Sequence, residues 1–144
     1  MRKKGSIVQV NAQRDNELMA AYKEAVSAAK SIRLDEVFRR AVETPCSRFW
    51  CSEERAYMVC LKIKSGVSIE QMNPTRREMF MEIFRRVEEL RAFSIGESFY
   101  TLVIRVVNSP APKFYLTPKS AQVIVHHIKK KCLEEKKKRL RFLL

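Results

Sequence analysis

The chain has 144 residues, with 46% hydrophobic and 31% charged residues. That suits one domain, or two small helical modules sharing a core, and excludes a disordered chain. Its longest apolar run, "FYTLVIRVV", is broken by Arg105 and is too short to span a bilayer, so no membrane contact is expected, while the net charge of +13 points toward a polyanionic partner.

That charge is concentrated at the two ends. Residues 1–14 hold Arg2, Lys3, Lys4 and Arg14 and no acid, giving +4. Residues 126–144 hold Lys129, Lys130, Lys131, Lys136, Lys137, Lys138, Arg139 and Arg141 against Glu134 and Glu135, giving +6. Only +3 remains for residues 15–125. Clustered like charge repels itself unless a polyanion neutralises it.

Residues 1–13 read as a basic N-terminal arm. No apolar segment of the kind found in secretion signals follows "MRKKGSIVQV", so a cytoplasmic location is expected, at the nucleoid if the partner is DNA. A first repeat is expected over 14–66. In "DNELMAAYKEAVSAAK", Leu18, Met19, Tyr22, Val26 and Ala29 fall at helical spacing, with Asp15 or Asn16 able to cap. "RLDEVFRRAVE" predicts a second helix with Val37, Phe38 and Ala41 inward. Thr44-Pro45 then has the form of an N-cap hydroxyl and an N1 proline, predicting a one- to two-turn helix over "PCSRFW". Ser52 caps "EERAYMVCLKIK", which stops at Ser65-Gly66.

Residues 67–73 form a linker, and the second repeat occupies 74–131. Asn73-Pro74 opens a helix with Met79, Phe80, Ile83, Phe84, Val87 and Leu90 on its apolar stripe. "SFYTLVIRVV" has the β-branched content of a strand, but its counterpart in the first repeat is helical, and a helix is expected. Ser109-Pro110 predicts a short helix over "PAPKFY", and Thr117-Pro118 starts a last one. That last helix is expected to run on through the basic tail, 132–144, giving about 33 Å from Pro118 to Arg139. "LRFLL" at the end is too apolar for a spacer, so Leu140, Phe142, Leu143 and Leu144 are expected to fold back or meet a protein partner.

The two halves align without gaps at an offset of 65. Between Leu34–Lys64 and Phe99–Lys129 there are seven identities in 31 positions: Arg40/Arg105, Val42/Val107, Pro45/Pro110, Phe49/Phe114, Ala56/Ala121, Ile63/Ile128 and Lys64/Lys129. Chance would give roughly two. The expected fold is all-α, two tandem helix-turn-helix-like repeats packed together. At this offset Cys46, Cys51 and Cys60 face Ala111, Leu116 and Val125, so they read as small core residues rather than metal ligands. The aromatic pairs Phe49-Trp50 and Phe114-Tyr115 read as core anchors. No Gly-rich phosphate loop is present, and His126-His127 has no nucleophile or paired carboxylate beside it, so neither an enzyme nor a cofactor is expected.

"LDEVFRRAVETPCSRFWCSEERA" resembles the DNA-reading unit of tetracycline-repressor-type regulators. The resemblance covers about 25 residues per repeat and implies phosphate contact near the short helices. It lacks their turn glycine, and Arg48 or Lys113 is the one long polar side chain on each short helix. More broadly, "SRFWCSEERA", "MNPTRREMFMEIFRRV" and "PAPKFYLTPKSA" resemble small basic proteins of Bacteroidales bacteria, their mobile elements and phages, which implies a bacterial or phage setting. The expected function is nucleic-acid binding, to DNA or RNA, largely through phosphates. Its expected contacts are Arg40, Ser47, Arg48, Arg105, Lys113, Lys129, Lys130, Lys131, Lys136, Lys137, Lys138, Arg139 and Arg141. A protein-interaction or assembly component of a phage or mobile element is the alternative.

Overall fold

The computed structural model describes residues 4–143 and is all-helical. Its helices are α1 (Lys4–Ala28), α2 (Leu34–Val42), α3 (Glu53–Lys64), α4 (Pro74–Phe93), α5 (Phe99–Val107) and α6 (Pro118–Leu143). Several ends form as their residues dictate. Ser52 Oγ accepts from the Arg55 N–H and Thr117 Oγ1 from the Ser120 N–H, each at 3.1 Å, so both third helices of the repeats carry a true N-cap. After α3, Gly66 sits at φ 80°, with its N–H on the Ile63 carbonyl and that of Val67 on the Lys62 carbonyl, the Schellman pattern. "SFYTLVIRVV" is helical as α5, burying Leu102, Val103, Val106 and Val107.

As expected, the last helix runs on through the basic tail, α6 taking in residues 132–143; Leu144 lies outside the described residues. Two expectations are corrected. First, α1 begins at Lys4, not at an Asp15 or Asn16 cap. Residues 4–13 of the expected arm are thus helical, and residues 1–3 lie outside the described residues. Second, no helix forms over "PCSRFW" or "PAPKFY". The hydroxyls expected to start those helices close the preceding ones instead: Thr44 Oγ1 donates to the Arg40 carbonyl at 3.0 Å, and Ser109 Oγ to the Val106 carbonyl at 2.6 Å. The prolines therefore follow a helix end, which is as favourable a place for them as a helix start.

The two freed loops pair with each other. Cys46 and Ala111 exchange both backbone N–H···O bonds at 3.0 Å, the one antiparallel bridge among the described residues. Around it, the Phe49 N–H reaches the Val107 carbonyl at 3.0 Å and the Phe114 N–H the Val42 carbonyl at 2.8 Å. These bonds interchange when 65 is added or subtracted, the reciprocity of an isologous interface. The rings obey it too. Phe49 stacks on Tyr115 at 5.9 Å between centroids, and Trp50 on Phe114 at 6.1 Å.

Helix packing follows the same exchange. α6 packs on α1 and α2, whereas α3 packs on α4 and α5. Neither α3 nor α6 contacts the first two helices of its own repeat. The packing units are thus α1–α2–α6 and α4–α5–α3, which cross the 14–66 and 74–131 divisions of the sequence. One core runs through both, and it contains Phe49, Phe80, Phe114, Leu18, Ile83, Leu102, Val59 and Cys60 with almost no exposure.

Candidate nucleic-acid interface

The expected contact residues fall in three places, of which the first is the loop clasp. With no short helix to stand on, Arg48 folds inward. Its Nε donates to the Phe49 carbonyl at 3.0 Å, Nη2 to the Cys51 carbonyl at 2.8 Å and Nη1 to Asn108 Oδ1 at 3.2 Å. The guanidinium therefore ties the first loop to the end of α5. Its counterpart Lys113 forms an ion pair with Glu78 of α4 and places its ammonium 5.3 Å from the Tyr115 ring centroid. Tyr115 has φ 56°, a left-handed conformation that bulky side chains avoid. Ser47 is held by Glu17 of α1, whose carboxylate accepts from both its N–H, at 2.8 Å, and its hydroxyl. The Cys46 thiol lies 3.4 Å from the carbonyls of both Arg48 and Lys113, and burial pushes its pKa up to about 11. Cys51 and Cys60 are buried as expected, and burial likewise raises their pKa to about 11 and about 12.

The second place is the flanks. Arg40 and Arg105 end α2 and α5, both exposed. Arg105 pairs with Glu97 at 2.6 Å. Nearby on α4, Glu82 takes Arg85 at 2.7 Å and Arg86 at 2.8 Å, and Arg86 also donates to the Pro110 carbonyl at 2.8 Å. The hydrogen bonds from Arg85 foremost, then Arg86, hold the Glu82 carboxyl down at about 2. Arg86 also lies 5.1 Å from the Phe49 ring centroid, so α4 is tied to both loops.

The third place is α6, and here the electrostatics change. Every side chain from Lys129 to Leu143 is exposed, so residues 130–143 form a spur about 20 Å long. Lys129 still touches the body: its Nζ donates to the Tyr22 hydroxyl at 2.8 Å and lies 4.5 Å from that ring's centroid. Beyond it, no ion pair among the described residues engages Lys130, Lys131, Lys136, Lys137, Lys138, Arg139 or Arg141. On the body, by contrast, six of the twelve arginines between residues 4 and 128, Arg14, Arg33, Arg85, Arg86, Arg91 and Arg105, and also Lys113, face a carboxylate. At 100° per residue, Lys130, Lys131, Lys137, Lys138 and Arg141 share one half of the spur with Glu134. Cys132, Leu133, Leu140 and Leu143 lie toward the other.

Lys129 and Lys119 also rim a groove of about 470 Å³ between α6 and the α1–α2 pair, with Tyr22, Leu34, Phe38 and Val123 in its walls. This groove is not evident from helical spacing or charge alone. Its signal was present at the offset of 65, where Gln122 of α6 corresponds to Tyr57 of α3. No protein-family model, no curated protein and no solved structure matches this chain.

Proposed function

We propose that the protein binds nucleic acid through its phosphate backbone, with the α6 spur as the principal contact. One observation supports this above the rest: the spur's cations are exposed and form no ion pair among the described residues, while on the body six arginines, Arg14, Arg33, Arg85, Arg86, Arg91 and Arg105, each face a carboxylate. Seven such charges on one helix are poorly suited to packing and well suited to displacing counterions from a polyphosphate. Arg48, Ser47 and Lys113 support the fold in this reading, and Arg40 is an auxiliary contact. With no recognition helix present, the binding is backbone-directed rather than base-specific.

The test is fluorescence anisotropy with labelled DNA and RNA across a salt series. Binding should weaken steeply with salt. Converting Lys136, Lys137, Lys138 and Arg139 to Gln should lower the slope of log K against log[salt] by up to about 3 to 4 for duplex DNA. Affinity that ignores both salt and these substitutions overturns the proposal.

A second reading is favoured by the spur's tip, where Leu140, Phe142 and Leu143 are 61%, 93% and 81% exposed. Such a patch suits protein assembly, with the lysines serving solubility.

A further inference from the structure

The internal correspondence between the halves exposes a place where they differ. In the α3–α5 contact the Tyr57 ring lies 6.2 Å from Phe99 and, edge-on, 4.9 Å from Tyr100, with Lys64 Nζ 4.7 Å from the Phe99 centroid. In the corresponding α6–α2 contact those residues are Gln122, Leu34 and Asp35, and Lys129 stands where Lys64 does. Three rings have been exchanged for smaller or polar side chains, and the retained ammonium lies instead over the Tyr22 ring at the groove's edge. The groove of about 470 Å³ lies where the ring is missing. Its walls are mostly apolar, with Leu34 and Val123 about half exposed; Gln122 and His126 also line it, and Lys119 and Lys129 stand at the rim.

We propose that this groove receives an unpaired nucleobase, so that the protein prefers single-stranded to duplex nucleic acid. The site calls for a flat ring of the size of the Tyr57 phenol, attached to an anion that Lys119 and Lys129 can meet. A nucleotide combines the two. The groove is also continuous with the proposed phosphate track, because Lys129 belongs to both and Lys130 and Lys131 follow it on the same helix. A strand whose base enters between Leu34 and Val123 would carry its next phosphates along the spur. A duplex could use the spur but not the groove, since its bases are stacked and paired. Stacking and apolar contact of this kind tolerate any base, which agrees with the absence of a base-reading helix.

The inference rests on the nucleic-acid reading, and one experiment separates the two. The full chain is titrated at low salt against a mixed-sequence single strand of about 16 nucleotides and its duplex. The same titrations are run with Gln122→Tyr, which restores the ring present in the other half, and with Leu34→Phe, which fills the groove from the opposite wall as Phe99 does. Circular dichroism verifies that each variant is folded. The expected result is tighter binding of the single strand by wild type, and about tenfold weaker single-strand binding by either folded variant, with duplex affinity unchanged. A 2-aminopurine in the strand should change its fluorescence on binding wild type and not Gln122→Tyr. If both variants bind single strand as wild type does, or lose duplex and single strand equally, the groove assignment falls and the spur reading stands. If wild type binds neither nucleic acid, both fall.

Discussion

Phe49 and Phe114 are buried to 0% and 2% exposure, and each stacks on an aromatic residue of the opposite loop. Truncating either to Ala should destabilise the protein by about 3–5 kcal/mol, read from chemical denaturation. Loss below about 1 kcal/mol would show that the clasp is peripheral. The core role of these rings and of Cys46, Cys51 and Cys60 was legible, because each aligns with an apolar residue at the offset of 65. Arg48 was not legible. Its identity announces a cation, but its hydrogen bonds to Asn108 and to two carbonyls depend on a loop conformation created by pairing with residues some 60 positions away.

Among the elements, the helices were the easiest to read, since their apolar spacing and caps are local. The two loops were misread for a local reason as well. A hydroxyl followed by proline fits both a helix start and the residues after a helix end, and only the long-range bonds from Cys46 to Ala111 and from Phe49 to Val107 decide between them. A less visible regularity concerns volume. At an offset of 62, Leu18, Ala21 and Ala25 of α1 correspond to Phe80, Ile83 and Val87 of α4, all buried. The smaller α1 set packs on α2, which buries Phe38, and the bulkier α4 set on α5, which has Val103 at that position. Large faces small in both pairs, so each fills its space. The spur of α6 has no such packing to lose. Removing Leu140–Leu144 should leave the melting temperature nearly unchanged, because the described side chains there are all exposed. Under the nucleic-acid reading DNA retention also persists. Loss of oligomerisation or partner capture in that variant, observed by light scattering or cross-linking, would favour the assembly reading.

At the scale of the molecule, the repeat was visible in the sequence but the exchange of third helices was not, because an offset identifies equivalent residues without saying which copy each one packs against. The exchange has a measurable consequence. Residues 1–66 contain α1, α2 and α3, yet α3 lacks α4 and α5, and the α1–α2 pair lacks α6. Neither 1–66 nor 67–144 alone should show a cooperative thermal transition by circular dichroism. Mixing them should restore one shared transition, and a monomeric 1–66 that melts cooperatively by itself would contradict the shared core. The same interlocking orders events during synthesis. When the first 66 residues leave the ribosome, α3 has nowhere to settle, and it must wait for α4 and α5 to be translated. The seat on α1 and α2 stays empty longer still, until α6 emerges, so the helix that completes the body is the same one that carries the exposed cations.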